Sequence, residues 1–163
     1  MVSPAAVAAG VVDPELPVLT LADLGVLRSV EESGGTVTVT ITPTYTGCPA
    51  MEAIRDDLVT ALHSAGYPDV VVRTVLSPPW STDWISEAGK RKLAEAGIAP
   101  PGAASRNTGG PIPITLTPRP STVDCPHCGS ADTVETSRFG PTACTALRRC
   151  RTCSEPFEHV KEL

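Results

Sequence analysis

Four cysteines near the C-terminus constrain this chain more than any other feature. They form two Cys-x-x-Cys pairs, Cys125/Cys128 and Cys150/Cys153, separated by 21 residues, a spacing typical of zinc ribbons. A Cys-x-x-Cys turn places two thiolates on the same side of a tight bend, and Gly129 gives the backbone freedom just beyond the second sulfur. Two such turns complete a tetrahedron around one Zn²⁺. Disulfide bonds and an iron-sulfur cluster stay open as alternatives, since four cysteines can form two disulfide bonds or ligate a cluster.

A zinc site of this kind is structural. Four thiolates leave no coordination position for water, so the metal stabilises a fold rather than hydrolysing a substrate. The segment contains too few apolar side chains to form a core unaided, so metal binding and folding are expected to be one event. The sequence therefore predicts a zinc ribbon over residues 125–163, with Cys125, Cys128, Cys150 and Cys153 as its ligands.

Three other side chains in this module are candidates for metal chemistry. Cys144 lies between the two pairs and has no Cys-x-x-Cys partner of its own. It is interpreted either as a small buried apolar residue or as an alternative ligand or reactive thiol. Because four well-spaced cysteines are available, His127 and His159 are expected to be solvated or to lie beside the ligands.

Residues 1–98 are predicted to form a small two-layer α/β (α+β) domain. A chain of 163 residues suffices for one ordinary domain plus a small module, and its core must be aliphatic because only 4% of it is aromatic. Apolar residues alternate with threonines over 37–41, which predicts a strand with one buried face. Apolar residues recur every three or four positions over 51–65, which predicts a helix. The full order is helix, strand, strand, helix, strand, helix.

The composition changes sharply over residues 99–124. Prolines are interspersed there with Gly and Ser, and no apolar period survives. Proline at this density stiffens and extends a chain. The segment is therefore predicted to be a linker that holds the ribbon at some distance from the first domain.

Charge and hydropathy exclude several functions. The formal net charge is −5, and neither the first domain nor the ribbon is basic, which argues against nucleic-acid binding because that affinity depends on Lys and Arg. The N-terminus lacks the basic segment of a signal peptide, and no apolar run is long enough for a membrane span. Cysteine pairs of the metal-binding kind suit a reducing compartment. We expect a cytoplasmic protein.

Cys48 is the candidate functional residue of the first domain. It follows Gly47 at the junction between a strand and a helix, where the helix dipole and free amides would lower its pKa and favour the thiolate. Packing in the core is the alternative. Asp13 and Glu15 lie in an Asp-Pro-Glu turn, and if that turn folds near Cys48, carboxylate and thiolate could together hold a transition metal.

Several motifs together carry a resemblance to a known family. They are the turn over residues 13–17, Gly47-Cys48-Pro49, the segment from Ser77-Pro78-Pro79-Trp80 to Ile85, and the terminal ribbon. The chain resembles the PaaD (PaaJ) family of phenylacetate-degradation proteins, within the wider group of SufT-like iron-sulfur assembly domains. The resemblance covers about residues 7–98 and 125–163.

The resemblance implies a role in the metabolism of phenylacetate. It points to an accessory factor, rather than an enzyme, that matures an iron-sulfur or diiron centre of the phenylacetyl-CoA epoxidase, with the oxygenase or reductase components as partners. Cys48 would be the reactive cysteine that transiently holds iron or a cluster, with support from Asp13 and Glu15. A non-catalytic structural subunit of the oxygenase complex is the alternative.

Overall fold

The computed structural model describes residues 2–45, 47–102 and 122–162. The helices are α1 (Pro4–Ala9), α2 (Leu21–Leu24), α3 (Met51–Ser64) and α4 (Glu87–Glu95). The strands are β1 (Leu27–Ser33), β2 (Thr36–Ile41), β3 (Asp69–Thr74), β4 (Ile98–Ala99), β5 (Thr133–Ser137), β6 (Thr145–Cys150) and β7 (Pro156–Val160). Within these ranges, no helix is both long and apolar enough to cross a membrane.

The first sheet has the order β1-β2-β3 and is covered by helices. β1 and β2 form an antiparallel hairpin, and β3 lies parallel to β2. The predicted alternation in β2 and the predicted stripe on α3 are both confirmed, because their apolar residues are buried in one core. These core residues are Val37, Val39, Ile41, Ile54, Leu58 and Leu62. The mixed α/β class is therefore as the sequence predicts.

The short helix α2 was not predicted, since four residues are too few to show a helical period. Its first turn is fixed by a capping box in which Thr20 and Asp23 bond to each other's backbone amide. Asp23 also accepts hydrogen bonds from Ser86 and Lys92. A single carboxylate thus joins α2 to α4.

The ribbon packs against the first domain, and the prediction that a linker holds it at a distance is wrong. Ile98–Ala99, at the boundary between the predicted first domain and the predicted linker, forms strand β4 and pairs in parallel with β7, which extends the ribbon sheet to the order β4-β7-β6-β5. Cys144 and Val160 of the ribbon belong to the same apolar core as the first domain. Proline content reports local stiffness, whereas docking depends on apolar surfaces that meet only in the folded chain. Residues 103–121 of the predicted linker lie outside the described residues.

Gly25 should be the glycine whose replacement is most damaging among the left-handed turns. Gly25 and Gly34 both have positive φ, +74° and +59°, but a Cβ on Gly25 would lie 2.7 Å from Trp84 whereas one on Gly34 would meet nothing within 4 Å. Both alanine variants bear the backbone cost of a positive φ. Gly25→Ala should lower the free energy of unfolding by a further 1–3 kcal/mol or so, a typical overpacking cost.

Chemical denaturation of Gly25→Ala and Gly34→Ala, side by side with the unchanged protein, tests this expectation. Gly34→Ala is the matched control because it isolates the backbone cost. Equal losses of stability in the two variants would show that Trp84 does not press on Gly25.

Candidate functional site

The four ribbon cysteines converge to the dimensions of a tetrahedral metal site. All four sulfurs lie within 4.8 Å of one another, and two Sγ–Sγ distances are short, 3.7 Å for Cys125–Cys153 and 3.6 Å for Cys128–Cys150. A tetrahedron with Zn–S bonds of about 2.3 Å has sulfurs separated by ~3.8 Å. The donor set and its spacing therefore fit Zn²⁺ at a closed, structural site.

Backbone hydrogen bonds hold the two cysteine turns in place. The Gly129 amide donates to the Cys125 carbonyl at 2.8 Å, and Gly129 has a φ of +72°. The Cys150 amide donates to the Glu155 carbonyl at 2.9 Å, which closes the second turn. The backbone amide of Cys153 donates to the Cys150 sulfur and lowers the pKa of that thiol to about 6. At least one ligand thus readily becomes a thiolate.

Cys48 lies in the loop between β2 and α3, as the sequence predicts, and lines a pocket. The helix begins at Met51, so the thiol lies just before its first turn. The side chain is half-buried. The backbone amide of Ala50 and the hydroxyl of Thr44 each lower the pKa of its thiol. Cys48 is therefore reachable from solvent.

Asp13 and Glu15 line the same pocket as Cys48. Asp13 is buried, and its Oδ1 accepts hydrogen bonds from the amides of Glu15 at 2.9 Å and Leu16 at 2.8 Å. These bonds close the turn, so Asp13 shapes the loop that presents Glu15. The side chain of Glu15 is only half-buried. Glu15 is thus the carboxylate better placed to contact a guest.

The sequence left the role of Cys144 open, and the structure shows that this ribbon residue also lines the Cys48 pocket. Its side chain is buried, and its Sγ donates to Oε2 of Glu15 across 3.8 Å. The hydroxyl of Thr142 lies 3.1 Å from the same sulfur. The one sequence signal for this position is a fifth cysteine flanked by threonines in a module that needs only four.

The rest of the pocket wall is apolar. Trp80 forms part of it, and its indole Nε1–H donates to the Leu24 carbonyl at 2.9 Å, which fixes the ring. Other apolar side chains close the wall: Leu16, Val26, Met51, Ile54 and Val160. The cavity volume is about 20 Å³. Since one water needs ~10–15 Å³ on this scale, the cavity admits a single water-sized guest.

The electrostatics of the pocket correct one expectation. Burial raises the pKa of Cys48, and the charges of Glu15 and Asp13 raise it further, against the Ala50 amide that lowers it. The expected lowering by the helix start is therefore wrong, because desolvation and two carboxylates outweigh one amide. Burial also raises the pKa of Tyr45, and charges on Cys48, Glu15 and Cys144 raise it further. Negative charge in this pocket is unfavourable unless a cation is present.

The two ribbon histidines have different environments. His127 is exposed, in agreement with the expectation of a solvated side chain. His159 lies in β7 and is buried, so it is not solvated. Burial, together with the charge of Arg148, lowers the pKa of its imidazole to about 4. A histidine with this pKa is neutral at physiological pH.

Comparison with known proteins assigns both parts of the chain. The family model described as the PaaD zinc beta ribbon domain matches residues 111–161, and the model described as iron-sulfur cluster assembly protein matches residues 6–76. An Escherichia coli protein named as a subunit of a "Putative 1,2-phenylacetyl-CoA epoxidase" is 41% identical over 91% of this chain and 85% of that protein. The chain belongs to the PaaD family.

The first domain of this PaaD-family chain is of the iron-sulfur assembly type. A Staphylococcus aureus protein named "Fe-S protein maturation auxiliary factor SufT" is 38% identical over 51% of the chain and 96% of that protein. A crystal structure of a domain of unknown function, DUF59, from Bacillus anthracis has a TM-score of 0.51 and 29% identity, and covers 55% of this chain and 87% of that one. The predicted resemblance to both groups is confirmed.

Removal of one ribbon ligand should release the metal and unfold the ribbon. Cys125→Ser breaks a four-thiolate site on which the fold of the PaaD ribbon depends. We expect the purified protein to contain one zinc per chain, and the variant to contain none and to lose protection of Cys144 against alkylation. Cys48→Ser is the matched control and should keep its zinc. A folded, metal-free Cys125→Ser variant, or iron in place of zinc, would contradict this.

Removal of the Glu15 charge should make Cys48 more reactive. Because that charge raises the pKa of the thiol, Glu15→Gln should shift the pH profile of Cys48 alkylation to lower pH. A lower pKa should speed alkylation near pH 8, because a larger fraction of Cys48 is then the reactive thiolate. Iodoacetamide labelling quantified by peptide mass spectrometry measures the rate, with the exposed hairpin variant Glu31→Gln as control. An unchanged or upward-shifted profile in Glu15→Gln would contradict the assignment.

Proposed function

We propose that this PaaD-family chain is an accessory factor that matures a metal centre, iron-sulfur or diiron, of a phenylacetyl-CoA epoxidase. Two kinds of relative support the proposal. Proteins similar to the first domain are named Fe-S protein maturation auxiliary factors, and the Escherichia coli protein similar to nearly the whole chain is named as an epoxidase subunit. A chain that resembles an epoxidase subunit and also contains a maturation domain is suited to a client protein among the epoxidase components.

The observation that carries the proposal is the position of Cys48. Its thiol lines a pocket of the assembly domain beside Asp13 and Glu15 and is half-exposed, so an incoming ion can reach it. In this function iron or a cluster is the cargo rather than a resident cofactor. Cys48 binds the cargo as a thiolate, Glu15 provides a compensating negative charge, and Asp13 holds the turn in which Glu15 lies. Transient binding requires only these few ligands.

The resident metal in this proposal is the structural ion of the ribbon. Its four-thiolate cluster leaves no position for a substrate, so the cargo does not bind there. The ribbon instead binds the client protein, which is an oxygenase or reductase component of the epoxidase. Zinc and transiently bound iron therefore have separate places and separate roles in one chain.

A non-catalytic structural subunit of the oxygenase is the second candidate. The word "subunit" in the name of the Escherichia coli relative favours it. A catalytic diiron subunit is less well supported, because carboxylate diiron sites in helical bundles use Glu-x-x-His motifs and the full sequence contains none. A structural subunit would need no reactive thiol, whereas a maturation factor would.

Co-expression separates the two candidates. The epoxidase components are produced with the unchanged protein, with Cys48→Ala, or without this chain, and the iron content and activity of the purified components are measured. We expect iron and activity to fall together in the second and third cases, because the thiol that receives the cargo is missing. Glu52→Ala is the control, since Glu52 is exposed in the first turn of α3 and leaves Cys48 in place.

The outcomes distinguish the roles clearly. Full iron content in components made without this chain would overturn the maturation role. Stable co-purification of the chain with the oxygenase, together with full iron content in the presence of Cys48→Ala, would instead establish the structural subunit.

A further inference from the structure

The ribbon contributes a side chain to the pocket of the assembly domain. Cys144 lies 129 residues after Glu15 in the chain, yet its Sγ approaches the Glu15 carboxylate at 3.8 Å. It is one of two thiols that line the pocket, and the other is Cys48. The two come from different domains and meet only because the ribbon is docked. The pocket is therefore a composite of both domains.

The surroundings of Cys144 are not those of a cysteine that only fills a core. Its sulfur lies 3.1 Å from the Thr142 hydroxyl and faces a carboxylate. A purely packing cysteine behaves as a small hydrophobe and needs no polar neighbours. Val160, which enters the same pocket from the ribbon, has the purely apolar role. Cys144 is thus placed as a donor in the wall of a mostly apolar pocket.

The size and donors of the pocket define the chemical class of its guest. The volume of about 20 Å³ suits one ion and excludes a cluster while the two domains stay docked. Two sulfurs and one carboxylate oxygen are donors that Fe²⁺, Zn²⁺ and Co²⁺ accept, whereas Mg²⁺ and Ca²⁺ prefer oxygen alone. A single divalent transition-metal ion is the guest that meets both conditions.

The donors around this pocket are less tightly assembled than those of the ribbon. Among the described residues, only the four ribbon cysteines bring three or more donor atoms within 4.8 Å of one another. An ion shared by Cys48, Cys144 and Glu15 therefore requires a side-chain rotation, which the half-buried Cys48 and Glu15 can make. A site that must adjust on binding releases its ion more easily than a preformed one, as a cargo site requires.

We propose that the ribbon completes the cargo site by supplying Cys144 as a second thiol ligand, so that one divalent transition-metal ion is held by Cys48, Cys144 and Glu15. Each thiol gives up its proton to solvent as its metal–sulfur bond forms, and no electron is transferred. The identification of the ion as cargo rests on the proposed function, but the binding site itself does not.

Anaerobic titration of the zinc-loaded full-length protein with Co²⁺ tests the site. The unchanged protein should bind one Co²⁺ beyond its ribbon zinc, with thiolate-to-cobalt charge-transfer absorption, while zinc measured in the same sample stays constant. Cys144→Ser should weaken the affinity at least about tenfold and reduce that absorption, as loss of a metal-site partner does. Cys48→Ala should have a comparable effect. Ala143→Ser, at the exposed neighbouring position, should change neither quantity.

Protection from alkylation gives a second measurement that needs no variant. Co²⁺ should protect both Cys48 and Cys144 of the unchanged protein against iodoacetamide, and a metal that lacks affinity for thiolates, Mg²⁺, should protect neither. Retained ribbon zinc in Cys144→Ser and in Cys144→Ala shows that each variant is folded. If both variants unfold, protection in the unchanged protein decides the question.

Three results would overturn the proposal. They are the absence of a Co²⁺ site beyond the ribbon zinc, equal affinity and absorption in Cys144→Ser and the unchanged protein, and protection of Cys48 alone. Each can occur while the epoxidase still requires this chain for its iron, which would leave the maturation role intact. Conversely, if the epoxidase acquires iron without this chain, the maturation role is overturned while the Co²⁺ site can still exist.

Discussion

The convergence of four sulfurs in the ribbon is the constraint on which the rest of the structure depends. A module with so small an apolar core of its own needs the metal site to hold β5, β6 and β7 as a sheet. Once held, that sheet receives β4 from the first domain along β7 and carries Cys144 and Val160 into the shared core. The metal site of the ribbon thereby contributes to the shape of the candidate functional pocket.

The residues of the pocket have opposing electrostatic effects when no cation is bound. Burial and two carboxylates disfavour the thiolate forms of Cys48 and Cys144, and the same carboxylates make the pocket attractive to a cation. Protonated thiols react slowly with oxidants and electrophiles, because the thiolate is the nucleophile. The arrangement thus keeps both cysteines protonated and unreactive when no cation is bound, as the proposed carrier role requires.

Local patterns in the sequence were sufficient for most of the secondary structure and for the four ribbon ligands, because strand alternation, helical period and Cys-x-x-Cys spacing are all short-range. They also placed Cys48 beside the helix start. They failed for α2 and β4, which are too short to show a period, and for the direction of the Cys48 pKa shift, which depends on burial and on carboxylates distant in the chain.

What the sequence determined by itself is therefore the parts: an assembly domain with Cys48, a ribbon with its cysteines, and membership of a family. Only the tertiary structure decided that the ribbon docks and that Cys144 meets Glu15 and Cys48 in one pocket. The physical reason is that docking is driven by burial of apolar surface between segments far apart in the chain, and no local pattern records which surfaces will meet.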